Sequence, residues 1–548
     1  MKTKNISTVI RFIIIIVVAL SLYLLFLPAV NWRSRGIYWY IFLLSDLGIG
    51  LFLKNLCFRL KIFKRFRRFH ILYIVIIVEV LFIIFNSPIV NAKKLQKVPE
   101  IEEGNFEEDF LDISENPADA FILDLDSAKR LGDTVVASIP NASWYEVSND
   151  FQLYTFNGNK YRMAPLKYAG FFQFNKAKAE GIPGYVLVEN ETMKPNFIKT
   201  ELPIRYAPSA YFEFDLHRHL QFQYPSYTFT SESYFEIYDG KTYWVTGVTE
   251  HNVALYSGRT IKKIAVTDSY SGETEIYSLD EIPEWIQHVY GLEYLMNQAR
   301  CYYSYVHGFW NACFSQTDVR RTSYSYRTKK DDENDNTANF YGYNSLINKN
   351  GDKLFITGIT PANKSESNIG FITLNSRTGE LIFYSAEGAE ESRAQETCES
   401  EYKALQYHAT FPVYANVGNQ STFMMALKDT AGIIQAYGFV NREQYNIKYV
   451  DKDIDVALSE YRKMVGLDEK NITVVESESE VTTTGIIDEI YSQSINGTTY
   501  YYYVIDKSIY KASAEVNELQ FLFSIGDEVT INYQETDNYR IVISIDVK

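Results

Sequence analysis

Two carboxylates stand where carboxylates are expensive. Asp46 lies near the middle of an apolar run from Ile37 to about Cys57, and Glu79 near the middle of another from Ile71 to Val90. If these runs form an antiparallel helical hairpin, both acids sit at similar depth in a bilayer. An ionisable group there is an intramembrane interaction site by default, and two neighbouring buried acids resist double ionisation. The plainer reading is polar contact between helices or with a membrane partner. A second candidate is aromatic. Tyr500, Tyr501, Tyr502 and Tyr503 form one run that suits a platform for stacking bases or sugars, or the filling of a small barrel.

The remaining reactive residues are scattered. His217 and His219 flank Arg218 in a helical stretch, where residues two apart do not share a face. Cys301 and His307 fall on different faces of one expected helix, so no nucleophile pair is formed. The loop Lys329–Thr337 alternates Asp331, Glu333 and Asp335 but lacks the Gly and distal Glu of a calcium site. Cys57 lies at the membrane edge, leaving Cys301, Cys313 and Cys398, an odd set that makes no disulfide framework. No zinc-protease, nucleophile-elbow, Cys-x-x-Cys or phosphate-loop motif occurs. The expectation is no catalytic residue, no metal, no cofactor and no enzymatic activity.

The elements that position these residues begin with three apolar runs expected as transmembrane helices, about 12–30, 37–57 and 71–90. Each is long enough to cross roughly 30 Å of hydrocarbon. Arg59, Lys61, Lys64, Arg65, Arg67 and Arg68 fill the loop between the second and third, and Lys2, Lys4 and Arg11 precede the first. Basic loops stay cytoplasmic. This places the N-terminus inside and everything after about residue 91 outside, although Lys93, Lys94 and Lys97 argue mildly against it. The first run could be a cleaved leader, but no small-x-small site follows, and it reads as an anchor. Residues 1–98 carry 15 Lys/Arg against two carboxylates, a net of +13; the whole chain is −15, so the remainder carries −28. So acidic an exported region repels nucleic acid.

The expected organisation is α+β: a membrane anchor (1–92), an acidic linker (93–120), a tandem repeat region (121–467), a second linker (468–480) and a C-terminal unit (481–548). The repeat is a Gly-bearing polar turn followed by a strand. Its copies are Asn157–Tyr168, Asp239–Thr249, Asn350–Thr360 and Gly418–Lys428, and the middle two share Thr-Gly-(Val/Ile)-Thr. Each precedes another strand. In copies two and three Ser271–Ser278 matches Thr378–Ser385, with Gly272 and Gly379 where a turn needs positive φ. Helical periodicity over Ala210–Tyr224, Leu279–Ser315, Glu390–Tyr407 and Asp453–Val465 suggests helix-backed antiparallel sheets. From Val481, five strands with a short helix between the third and fourth follow the order of an OB-like barrel. Ten Asp/Glu against four Lys/Arg there argue against nucleic acid.

The runs Leu202–Tyr211, Leu216–Phe229, Glu281–Tyr290, Ser367–Glu380 and Phe423–Asp429 together resemble an uncharacterised family of large membrane-anchored exported proteins of low-GC Gram-positive bacteria, sometimes loosely labelled CvpA-family. The resemblance covers about Ala120–Leu467 and implies no catalytic residues. The hairpins 261–278 and 369–385 are also similar to PepSY modules, exported α+β domains associated with protease regulation and peptide binding. The expected function is that of an extracytoplasmic binding or scaffold protein of the cell envelope, partnered by the lipid bilayer and by an exported protein, peptide or wall polymer. Alternatives are an envelope enzyme with a site assembled from distant residues, or a membrane-hairpin subunit of a transporter or sensor acting through Asp46 and Glu79.

Overall fold

A computed structural model describes residues 2–59, 66–114, 117, 123–156, 159–323, 342–348, 351–362, 367–467, 481–495, 498–513, 516–517, 520–535 and 540–547. The three N-terminal apolar runs are helical: α1 (Lys2–Phe26), α2 (Arg35–Arg59) and α3 (Phe66–Phe85), followed by α4 (Pro88–Leu95). The first run was expected to stay helical to Val30. It stops at Phe26, because Leu27 has φ 41° and Pro28 has no N–H to continue the ladder. Among the described residues one helical stretch, Tyr73–Leu95, is long and apolar enough to cross a membrane, with mean hydropathy 2.4; Ile13–Phe26 is a shorter apolar helix. Side chains along both face outward uncovered, including Ile16, Leu20, Leu25, Ile74, Val78 and Leu81. A bare apolar row of this length calls for an apolar medium or partner.

The chain divides into two compact units, Met1–Tyr461 and Arg462–Lys548. The first contains four antiparallel meanders. Sheet I holds Tyr145–Val147, Gln152–Phe156, Asn159–Tyr168, Ile182–Glu189 and Pro195–Ile204. Sheet II holds Thr228–Tyr238, Lys241–Val253, Ser257–Asp268 and Thr274–Ser278. Sheet III holds Arg320–Thr322, Asn344–Ile347, Lys353–Pro361, Ser367–Asn375 and Leu381–Ala389. Sheet IV holds His408–Ala409, Val413–Val417, Gln420–Lys428, Ile434–Asn441 and Lys448–Asp451. Every copy of the sequence repeat enters the inner strand of its own sheet, flanked by an earlier strand on one side and the downstream strand on the other.

A helix precedes each meander and packs on it: Leu125–Val136, Leu216–Gln223, Leu292–Ser304 and Glu391–Glu399. The strands need this cover. In Ile182–Glu189, for example, alternate residues Ile182, Gly184, Val186 and Val188 are buried, and a sheet with one apolar face is stable only when that face is covered. Three of the helices are shorter than their periodicity suggests. The expected long helix 279–315 is broken at Gly291 and again at Gly308 (φ 89°), so Cys301 and Cys313 lie in different elements.

The repeat extends to the turns. In sheet II the Asp268 carboxylate accepts from the N–H groups of Tyr270 and Ser271; in sheet III the Asn375 side-chain oxygen accepts from those of Arg377 and Thr378. The next carbonyl, of Ser269 or Ser376, accepts two further N–H groups, from Arg205 and Tyr206 or from Val289 and Tyr290. Gly272 and Gly379 have φ 76° and 80°, as their turns require. A Cβ on either would meet a tyrosine ring, Tyr206 at 2.6 Å or Tyr290 at 2.7 Å.

The acidic stretch after the anchor is no loose tether over its described part. Glu102–Glu103 pair in parallel with Ile382–Phe383, and Phe110 and Ile113 are buried. Their apolar side chains outweigh the flanking charge. Sheets I and II share one core, II and III a second, III and IV a third. Between III and IV, buried Glu391 accepts from Gly358 N (2.8 Å), Ser323 Oγ (2.8 Å), Asn368 Nδ2 (3.2 Å) and the Tyr414 hydroxyl.

The second unit is a six-stranded sheet in the order Val481–Ile486, Glu528–Glu535, Arg540–Val547, Ser508–Ser513, Thr498–Ile505, Glu489–Ile495. All pairs are antiparallel except Ser508–Ser513 with Arg540–Val547, which is parallel. The expected first strand is split at Ile487, which is fully buried, and the expected helix is a single 3-10 turn, Gln520–Leu522. No pairing among the described residues closes the sheet into a barrel.

Candidate functional site

The sequence points to the membrane acids and the tyrosine run, and the structure places both. Ser45 Oγ donates to Glu79 Oε1 at 3.4 Å, and Asp46, the next residue of α2, is close enough for its charge to act on Glu79. The two acids are therefore brought together between α2 and α3. Asp46 Oδ1 is buried with no hydrogen-bond partner among the described residues.

The four tyrosines do not make one platform, because strand side chains alternate. Tyr503 is fully buried and its hydroxyl donates to Gln520 Oε1 at 3.1 Å, with Tyr501 packed beside it. Lys511 Nζ lies over Tyr500, at 4.4 Å from its centroid, and 6.0 Å from that of Tyr502.

The histidines and cysteines are dispersed through the fold. His219 Nε2 bonds the Gly272 carbonyl at 2.7 Å, and burial lowers the His217 imidazole below its ordinary value. His307 pairs with exposed Asp318, away from Cys301. Burial pushes the Cys398 thiol up to about 12. The loop 329–337 lies outside the described residues. Among those that are described, no three His, Cys, Asp or Glu side chains converge on a metal-sized space.

A concavity lies elsewhere among the described residues. A cavity of about 800 Å³ lies where all four meanders meet, a size that suits a small ligand. One part of its wall is cationic. Arg162, on the inner strand of sheet I, is 4% exposed, and its Nε donates to the Leu123 carbonyl at 2.5 Å. Burial lowers this guanidinium to about 10 despite nearby Asp124. Lys353 begins the inner strand of sheet III. It shares a face with Phe355, and its Nζ sits 4.5 Å from that ring's centroid. Burial, then the like charge of Arg162, pull this amine down to about 7.

Another part is acidic. Asp150 and Glu293 are exposed, while Glu232 is half-buried and accepts from the Tyr234 hydroxyl at 2.6 Å. Burial raises the Glu232 carboxyl, with Glu293 and Asp150 adding to the effect. A Cβ at Gly291 would come within 1.5 Å of Glu232 Oε2, so a larger residue at the start of that helix would displace the Glu232 carboxylate. Behind this wall, Glu236 Oε1 accepts from Gln287 N, His288 N and His288 Nδ1 (2.8 Å), with both side chains fully buried. Tyr234 stacks on the His288 ring, so the support reaches the cavity surface.

Cationic and acidic groups lining one half-open cavity can orient a dipolar molecule, and an amine pulled down as that of Lys353 is can act as a base or nucleophile. No protein-family model and no curated protein matches the chain.

These residues were legible only in part. Arg162 occupies the repeat position that Trp244, Phe355 and Phe423 fill in the other copies, a cation where the pattern calls for an aromatic ring. That substitution was the available signal. Nothing local distinguishes Lys353 from Lys160, which occupies the same repeat position in the first copy.

Proposed function

We propose that the protein is a membrane-anchored, extracytoplasmic binding or scaffold protein of the bacterial cell envelope, without catalytic activity, whose ligand is an exported protein, a peptide or a wall polymer. The observation that carries the binding role is the bipolar cavity at the junction of the four meanders. Its lining is drawn from separate modules, as a ligand-gathering site requires. Three crossing helices, with the N-terminus cytoplasmic, agree with the contacts at the anchor. Val30 N donates to the Pro225 carbonyl at 2.7 Å, Arg33 donates to the His251 carbonyl at 2.9 Å, and Leu255 N donates to Asn86 Oδ1 at 2.9 Å. The folded region thus meets α1 and α3 at their C-terminal ends and α2 at its start. Arg59, the first residue of the basic run, ends α2, roughly 37 Å from its start along a 25-residue helix.

The meanders would be PepSY-like, in keeping with the resemblance to exported Gram-positive proteins. The C-terminal unit would be OB-like: its two outermost strands are consecutive in the chain, so a first strand bent at Ile487 joins both ends of the pairing order.

A second reading, an enzyme of the envelope, is favoured by Lys353 and Glu232, whose amine and carboxyl are both moved toward neutrality in one cavity. The test has two arms. Protease added outside intact protoplasts should remove the region after residue 91, and its survival there would reject the location. Full-length protein incubated with wall fragments and envelope peptides should retain a ligand unaltered in mass. Ser231→Trp, which puts a ring into the cavity from an exposed position, should abolish that retention. Turnover of the ligand would favour the second reading.

A further inference from the structure

We propose that the central cavity binds a small ligand through an acidic group, a carboxylate or a phosphate, seated on Lys353. The proposal rests on reading the cavity as the ligand site and adds the ligand's chemistry. Lys353 is 8% exposed and lines the cavity, yet among the described residues its ammonium has neither a hydrogen-bond acceptor nor an ion-pair partner. The Phe355 ring is its one close polarisable neighbour, and a ring face replaces only part of the hydration that burial removes.

Buried lysines ordinarily meet a carboxylate. The charge that acts most strongly on Lys353 is instead Arg162, which has the same sign and is anchored by its bond to the Leu123 carbonyl. An anion beside Lys353 relieves both the cost of its burial and the like charge of Arg162, which has Asp124 as its own acidic neighbour. A carboxylate or phosphate accepts the protons of the ammonium in charge-assisted hydrogen bonds. Asp150, Glu232 and Glu293, which also line the cavity, set a limit, the first two being near enough to act on Lys353. They repel a molecule anionic throughout, so the body of the ligand is neutral or carries an amine, as in a short peptide.

The test uses the full chain in lipid nanodiscs and three probes at matched millimolar concentration: alanylalanine, its C-terminal amide, and inorganic phosphate. Alanylalanine, phosphate or both should raise the Tm by about 2 °C or more, while the amide leaves it unchanged. A response to alanylalanine alone assigns a carboxylate, and a response to phosphate alone a phosphate. Lys353→Met should abolish the response. Should that variant not fold, acetylation of Lys353 by acetic anhydride in the wild-type chain serves instead, and an acidic probe should slow it several-fold. The proposal is overturned if neither acid changes the melting or the labelling, or if Lys353→Met responds as wild type does. A failed protoplast experiment would reject the envelope location and leave these results standing.

Discussion

Asp124 and Lys428 form an ion pair that joins the first meander's helix to the inner strand of the last. Their side chains are only 17% and 12% exposed. Asp124 is also the N-cap of Leu125–Val136, accepting from the N–H groups of Asp126 and Ser127. Sheets I to IV share cores in succession, and this pair closes the circuit around the cavity. Asp124→Ala removes both the pair and the cap and should cost about 2–4 kcal/mol in urea unfolding, whereas Lys428→Met, which leaves the cap, should cost less.

The same pair sets an acid limit. Burial, the largest single influence, raises the Asp124 carboxyl, but the charge and hydrogen bond of Lys428, with Ser127 and Arg162, together hold the group below its ordinary value. Its contribution is therefore complete above the unfolded value, near 3.9, and is lost as pH falls through the lower folded value. Wild type should lose Tm more steeply than Asp124→Asn when melted in steps below about pH 4.

Lys353 works in the opposite sense. Its amine is near 7 when folded and about 10.4 when unfolded, so between those values the unfolded chain holds more protons. Stability contributed by this residue should rise with pH across that window and be lowest below pH 7. Lys353→Met should flatten the slope and stabilise the protein at pH 7 by roughly 2–4 kcal/mol, read from denaturant midpoints across the window.

Glu391→Ala should be among the most damaging single changes. It leaves Gly358 N, Ser323 Oγ and the Tyr414 hydroxyl without their acceptor in a buried interface between sheets III and IV. A loss of about 3–5 kcal/mol is expected by urea unfolding.

At the repeated turns, Gly379→Ala should destabilise by about 1–3 kcal/mol in the same assay. It imposes φ 80° on an alanine and drives its methyl to 2.7 Å from the Tyr290 ring. Gly272→Ala should behave alike against Tyr206, and agreement between the two would show that the sequence repeat is an energetic one.

Much of this architecture could be read in the chain because its causes are local. Apolar length alone makes α1, α2 and α3 helices. Apolar runs that follow Gly-bearing turns specify the four inner strands, which are buried almost continuously, and Gly272 and Gly379 disclose positive φ by being glycine in matched turns. The broken 279–315 helix was misjudged because periodicity continues through Gly291 and Gly308, where Glu232 packing and turn geometry interrupt it. The folding of 101–113 onto sheets III and IV was hidden by its surrounding charge.

The cavity belongs to the tertiary structure alone. Arg162, Glu232, Lys353 and Lys428 come from four separate strands and acquire a shared environment only when the sheets surround one space. Burial and mutual charge, which give Lys353 its near-neutral amine, depend on distances across that space, and no spacing along the chain encodes them. Chain order determined the modules, and their packing decided which side chains face one another.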